Sequence, residues 1–157
     1  MKKKIILKSL KEMNAFAAKY AKTLKGGEVL ALTGELGSGK TAFVKGLAKA
    51  LGIKHVVQSP TFLLMKCYPV LQATSHNSDV RSESDMTSDL QAFCHVDAYR
   101  IKNERELINI GLGEKLEDPS VVTAIEWADL VKKIIPKRAV WINFSHGENP
   151  SERVVSF

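Results

Sequence analysis

One eight-residue segment constrains this chain more than any other: Gly34-Glu35-Leu36-Gly37-Ser38-Gly39-Lys40-Thr41. It satisfies the P-loop spacing of Gly, four residues, then Gly-Lys-Ser/Thr. Such a loop works at the junction of a strand and a helix, and both flanks agree. Val29 to Thr33 is a short strand pattern. A helix is predicted from about Lys40 to Leu51, with Phe43, Val44, Leu47 and Leu51 on its buried face and Gly52 beyond its end. The glycines let the backbone turn so that successive N–H groups point inward at phosphate oxygens. The helix start aims its positive end at the same place. In this chemistry Lys40 reaches the β- and γ-phosphates and the Thr41 hydroxyl ligates Mg²⁺. The segment from Gly34 to Thr41 is therefore the candidate nucleotide site.

The rest of the chain supplies alternating elements. Ser9-Leu10-Lys11-Glu12 is a capping-box pattern, and Leu10, Met13, Phe16, Ala17, Tyr20 and Leu24 follow at helical spacing until Gly26-Gly27. Phe62 to Tyr68 reads as a strand entered through Ser59-Pro60-Thr61, and Phe93 to Ile101 as another. A helical stretch is expected from about Glu104, then a buried strand over Val121 to Ile125, and final strands over Ala139 to Phe144 and Arg153 to Phe157. Strands alternating with helices predict an α/β layered fold with a largely parallel centre. Between about Leu71 and Leu90 the chain carries five serines, two threonines and four acids, with no Gly or Pro. That composition contributes little to a core, so the expectation is a polar, mobile insertion in a single domain covering residues 1–157.

Two acids sit where buried strands end: Asp97 after Phe93-Cys94-His95-Val96, and Glu126 after Val121 to Ile125. Ligands in open α/β sheets bind beyond the carboxyl ends of strands, so both acids are candidates to face the phosphates. One would hold the hydrated metal and the other orient a water; the sequence does not say which. Trp127 is a candidate either for the nucleotide's surroundings or for the core. Cys67, Cys94 and His95 lack the paired spacing of a metal site, and the cysteines read as ordinary buried thiols. Two cysteines form no disulfide framework, which fits a reducing cytoplasm.

Charge narrows the partners. The net charge is +6, but up to Lys54 there are twelve lysines against three glutamates, and the remainder is slightly acidic. No basic-aromatic interleaving of the kind that stacks bases occurs. The basicity reads as phosphate and partner electrostatics first, with nucleic-acid contact only indirect. An apolar run of about 18 residues, enough for a transmembrane helix, does not occur, and neither does the shorter apolar run of a secretory signal.

Taken together, Gly34 to Thr41, Leu51-Gly52-Ile53, Ser59-Pro60-Thr61-Phe62, His95-Val96-Asp97-Ala98-Tyr99-Arg100, Gly111-Leu112 and Ile125-Glu126-Trp127 stand in an order that resembles the TsaE family. These are small P-loop ATPases of bacterial tRNA threonylcarbamoyladenosine biosynthesis. The resemblance implies a P-loop NTPase-like three-layer fold with antiparallel strands at the edges of a parallel sheet. It implies ATP and Mg²⁺ as cofactors, hydrolysis stimulated by the TsaB–TsaD complex, tRNA met only through that assembly, and a monomer or weak oligomer alone. By position it makes Lys40 and Thr41 the phosphate and Mg²⁺ contacts, and Asp97 and Glu126 the acids of hydrolysis. Ser59, Pro60, Thr61 and Phe62 become a switch-like segment, and Trp127 the aromatic near the nucleotide. The stretch from Phe62 to His95 is longer than is usual there, by roughly a dozen residues or more.

Two other functions fit a P-loop in a chain of this size. A small-molecule kinase would use arginines in a lid, but the five present, Arg81, Arg100, Arg105, Arg138 and Arg153, are scattered. A nucleotide-gated interaction module would bind without turnover. A GTPase is disfavoured because no Asn-Lys-x-Asp motif occurs.

Overall fold

A computed structural model describes residues 3–54, 58, 60, 63–70 and 89–157. Within them run β1 (Lys4–Leu7), α1 (Leu10–Ala21), β2 (Val29–Thr33), α2 (Lys40–Ala50), β3 (Met65–Pro69) and β4 (Ala92–Asp97). Then come α3 (Arg105–Asn109), α4 (Leu112–Glu117), β5 (Val121–Glu126), a 3₁₀ helix (Ala128–Ile134), β6 (Val140–His146) and β7 (Arg153–Ser156). All seven strands form one sheet in the order β1-β7-β6-β2-β5-β4-β3. Its centre, β6-β2-β5-β4, is parallel, and β3, β7 and β1 each join antiparallel to their neighbours. This is the layered α/β arrangement expected, with antiparallel strands at both edges.

Period-two alternation splits the core between the two faces of the sheet. Leu30 and Leu32 of β2, Phe93 of β4, and Val122 and Ala124 of β5 pack with α1 and α2. Val29, Ala31, Val96 and Ile125 pack with α3, α4 and the 3₁₀ helix. Strands buried on both faces, as β5 is throughout, are the norm for a parallel centre. On the first face α1 and α2 lie close enough that a Cβ on Gly46 would stand 2.7 Å from the Ala17 Cβ. Beside this crossing, Phe16, Tyr20, Phe43, Phe144 and Phe157 form a chain of ring contacts.

The helix start predicted at Ser9 holds, with a shifted return bond. Ser9 Oγ accepts from Glu12 N (3.2 Å), while Glu12 Oε2 accepts from Lys8 N (2.8 Å), one residue before the cap. The apolar stretch Ile5 to Leu7 is an edge strand that pairs with β7, a long-range partner invisible locally. The single helical stretch expected from Glu104 divides at Gly111 into α3 and α4. Leu90, placed with the polar insertion, is 2% exposed and belongs to the first core face. Residues 71–88 of that insertion lie outside the described residues.

The reading of the cysteines as buried thiols is corrected, and with it the support they gave to a reducing cytoplasm. Cys67 and Cys94 are direct cross-strand partners on β3 and β4 and are joined by a disulfide. Spacing along the chain could not show this, because antiparallel register rather than sequence separation brought the two together. Among the described residues no helix is long and apolar enough to cross a membrane.

Candidate nucleotide site

The sheet register puts three residues in one row: Leu32 of β2 stands opposite Glu126 of β5, which stands opposite Asp97 of β4. The P-loop leaves β2 just beyond that row, so both acids sit level with its start. Asp97 and Glu126 project to the α2 side of the sheet, since Phe93, Val122 and Ala124, which share their alternation, pack on that face. The result is a cleft of about 360 Å³, walled on one side by Leu36 to Thr41 and on the other by Asp97, Tyr99, Arg100, Glu126 and Trp127.

The P-loop wall is held by backbone close approaches. Gly34 has φ 130°, and a Cβ there would run into the Phe144 carbonyl oxygen of β6; only glycine meets both conditions without strain. From the β6–β7 side, His146 Nε2 lies 3.2 Å from Leu36 O, and Arg153 Nε donates to Gly37 O (2.9 Å). The Ser38 hydroxyl is buried without a partner among the described residues. Lys40 is 4% exposed. Its ammonium donates to Gly34 O (2.6 Å) and Glu35 O (2.9 Å) and lies 3.9 Å from the Trp127 ring centroid. Burial pulls the Lys40 ammonium below the usual lysine range, while Glu126, Asp129 and Asp97 pull it back.

The two walls meet through one side-chain bond. Thr41 Oγ1 donates to Glu126 Oε2 at 2.8 Å. Glu126 is 2% exposed, and its other oxygen, Oε1, lies 2.7 Å from His95 Nε2. Asp97 Oδ1 accepts from the Tyr99 backbone (3.0 Å), and the Asp97 N–H donates to Leu64 O (2.9 Å). Leu64 and Trp127 are the non-glycine residues with positive φ among those described, at 60° and 58°. Both adjoin the acids: Leu64 through that backbone bond, Trp127 by following Glu126. Strained backbone of this kind concentrates at working sites.

Of the residues singled out from sequence, Leu36, Gly37, Ser38, Gly39, Lys40, Thr41, Asp97, Glu126 and Trp127 all line the cleft. Gly34 and Glu35 stand behind it and offer their carbonyls to Lys40. Of the switch-like segment, Ser59, Thr61 and Phe62 lie outside the described residues. Pro60 is buried, and its carbonyl accepts from Leu63 and Leu64, which ties it by backbone to the strand carrying Asp97. Trp127, left between core and cleft, is half-buried at the cleft, with its ring 4.8 Å from that of Tyr99. The early lysines fare differently. Apart from Lys40, those from Lys3 to Lys54 are exposed, and none lines the cleft.

Sequence reasoning missed the place of His95 and the bracing by His146 and Arg153. The first was within reach, because His95 and Asp97 are two apart on a strand and so share a face. The bracing pair had no local signal, since each is more than a hundred residues from its P-loop partner.

The donor set fits a hard divalent cation bound together with a nucleotide. Thr41, Glu126 and Asp97 offer oxygen only, and no group of three or more His, Cys, Asp or Glu side chains that could hold a metal ion by themselves exists among the described residues. Mg²⁺ typically takes one or two carboxylates and completes its shell with water and substrate phosphates.

Comparison with known proteins gives a consistent result. The family model described as Threonylcarbamoyl adenosine biosynthesis protein TsaE matches residues 7–155. The tRNA threonylcarbamoyladenosine biosynthesis protein TsaE of Bacillus subtilis (strain 168) is 33% identical over 146 residues, covering 93% of this chain and 78% of that protein. Its namesake from Aquifex aeolicus (strain VF5) is 35% identical over 129 residues, covering 81% of this chain and 77% of that one. The crystal structure of YdiB from Bacillus subtilis superposes with a TM-score of 0.71 at 27% identity, over 100% of this chain and 84% of that one.

Proposed function

The chain belongs to the TsaE family, and on that premise we propose that it binds and hydrolyses ATP in support of threonylcarbamoyladenosine modification of tRNA. The observation that carries the chemistry is the Thr41–Glu126 hydrogen bond, which couples the phosphate loop to the acid wall. Lys40 stands at the loop with its ammonium on two carbonyls. A phosphate in the loop offers the same donor an anionic acceptor, and hydrogen bonds to charged partners are the stronger ones. The N-terminus of α2 adds its backbone N–H groups.

Mg²⁺ arriving with ATP supplies neutralisation of charge on the phosphate oxygens. Thr41 is the loop's ligand for it. By donating its hydrogen bond to Glu126, the Thr41 hydroxyl keeps its oxygen lone pairs turned outward. Glu126 would thus take the metal side of the site, acting through Thr41. Asp97, its neighbour across the strand pair, takes the water side and orients the nucleophile. Trp127 and Tyr99 close the rim and limit solvent. A kinase reading has less support, since Arg100 is the arginine that lines the cleft among the described residues.

We assign the TsaB–TsaD complex as the partner, with tRNA met through it, in the cytoplasm. The deciding measurement is ATP turnover by the purified chain alone, with TsaB–TsaD, and with tRNA added. Turnover that rises on adding the pair is expected. Tight nucleotide binding with no turnover in any mixture would replace this reading with a nucleotide-gated module.

A further inference from the structure

His95 is a buried titratable side chain that the scheme above leaves without a task. It is fully buried, and its Nε2 lies 2.7 Å from Glu126 Oε1. Its Nδ1 has no partner among the described residues. An ionised carboxylate only accepts hydrogen bonds, so Nε2 must be the ring nitrogen that carries a proton. A second proton on Nδ1 would be a buried donor with no acceptor, which is costly; a bare Nδ1 leaves only an unfilled acceptor. The hydrogen-bond pattern therefore selects the neutral Nε2–H tautomer.

We propose that His95 is a positioning residue: its Nε2–H fixes Glu126 so that Oε2 receives the Thr41 hydroxyl and the Thr41 oxygen faces the metal. The chain of bonds is His95 Nε2 to Glu126 Oε1, then Glu126 Oε2 to Thr41 Oγ1. Both carboxylate oxygens are thereby committed, and the carboxylate plane cannot rotate without breaking one bond. A neutral donor also leaves the full negative charge of Glu126 available to a cation, which a paired ammonium or guanidinium would cancel. Groups of this kind behind a metal ligand orient it and tune its affinity. This inference rests on the nucleotide-site reading above, but it does not need turnover.

The test uses the full chain and a fluorescent ADP analogue, titrated at a series of Mg²⁺ concentrations. His95→Leu keeps the apolar volume and removes the donor; His95→Gln restores an N–H at a similar reach. In His95→Leu, affinity without Mg²⁺ should stay within about twofold, and the Mg²⁺ concentration for half-effect should rise about 10–100-fold. His95→Gln should recover most of that shift. In a Glu126→Gln background, His95→Leu should add nothing further.

Equal behaviour of the Leu and Gln variants, or an affinity loss that is the same with and without Mg²⁺, would overturn the proposal in favour of packing alone. So would a wild-type affinity indifferent to Mg²⁺. A second readout needs no variant. The imidazole ¹⁵N spectrum of the wild-type protein should show His95 protonated at Nε2 and bare at Nδ1, and the opposite tautomer refutes the mechanism. Absence of ATP turnover with TsaB–TsaD would remove the ATPase reading while leaving these two measurements decisive for His95.

Discussion

The two walls of the cleft are built in opposite ways. The P-loop wall is eight consecutive residues whose shape is set by local backbone, with Gly34 seated against the Phe144 carbonyl and Lys40 folded onto its own loop. The acid wall draws His95 and Asp97 from β4 and Glu126 from β5, and exists only because parallel pairing puts Asp97 opposite Glu126. A phosphate cradle needs a fixed row of N–H donors, which contiguous backbone provides at little cost. Metal and water chemistry needs carboxylates from different directions, which requires separate strands. The contrast predicts that binding and turnover can be broken apart.

The largest effects come from cutting each wall once. Lys40→Ala should lower kcat/KM by at least about 100-fold, the scale of one lost donor to developing phosphate charge. It should also weaken nucleotide binding. Glu126→Ala should leave Mg²⁺-free nucleotide affinity within about threefold while turnover falls about 10²- to 10³-fold, the scale for a lost electrostatic stabiliser. Calorimetry for binding and phosphate release for turnover separate the two. If Glu126→Ala loses binding in step with turnover, the two walls are one structural unit and the division fails.

A middle effect lies at the edge behind the acid wall. Cys67 is exposed on β3, and the disulfide ties it to Cys94, the residue next to His95. Reduction should lower stability by about 2–4 kcal/mol, read as a fall in Tm. Mg²⁺-free nucleotide affinity should not move, because the P-loop wall is anchored to β6 and β7 instead. A binding loss on reduction would show that the edge strand supports both walls.

The smallest expected effect concerns the turn into β5. Asp118 Oδ1 accepts from the Ser120 hydroxyl (2.7 Å) and backbone (2.9 Å), which holds its carboxyl below the usual aspartate range. A carboxyl lowered on folding adds stability above its unfolded value and loses it as pH falls through the folded one. Asp118→Ala should therefore cost a little Tm at neutral pH and nothing in strong acid. A constant deficit at every pH would mean that the turn matters for shape rather than charge.

How much was legible follows from the same division. The P-loop, the helix behind it and the capped α1 were readable because their signals are local: glycine spacing, apolar periodicity, and a serine three residues before a glutamate. Asp97 and Glu126 were readable as candidates because buried strands end there, and the strand-end rule of parallel sheets supplied the rest. Edge strand β1 was not, because four residues with one apolar run become a strand only when β7 returns to pair with them. The cysteine pair was misread as thiols for the same reason.

By itself, then, the sequence determined that a phosphate-binding loop joins a strand to a helix in a layered α/β chain, since backbone conformation and hydrophobic period are properties of neighbouring residues. Only the tertiary structure decided that Glu126 meets Thr41, that His95 stands behind Glu126, and that Arg153 and His146 brace the loop. Those contacts depend on strand register between segments 31 to more than a hundred residues apart, and register is fixed by the packed sheet as a whole.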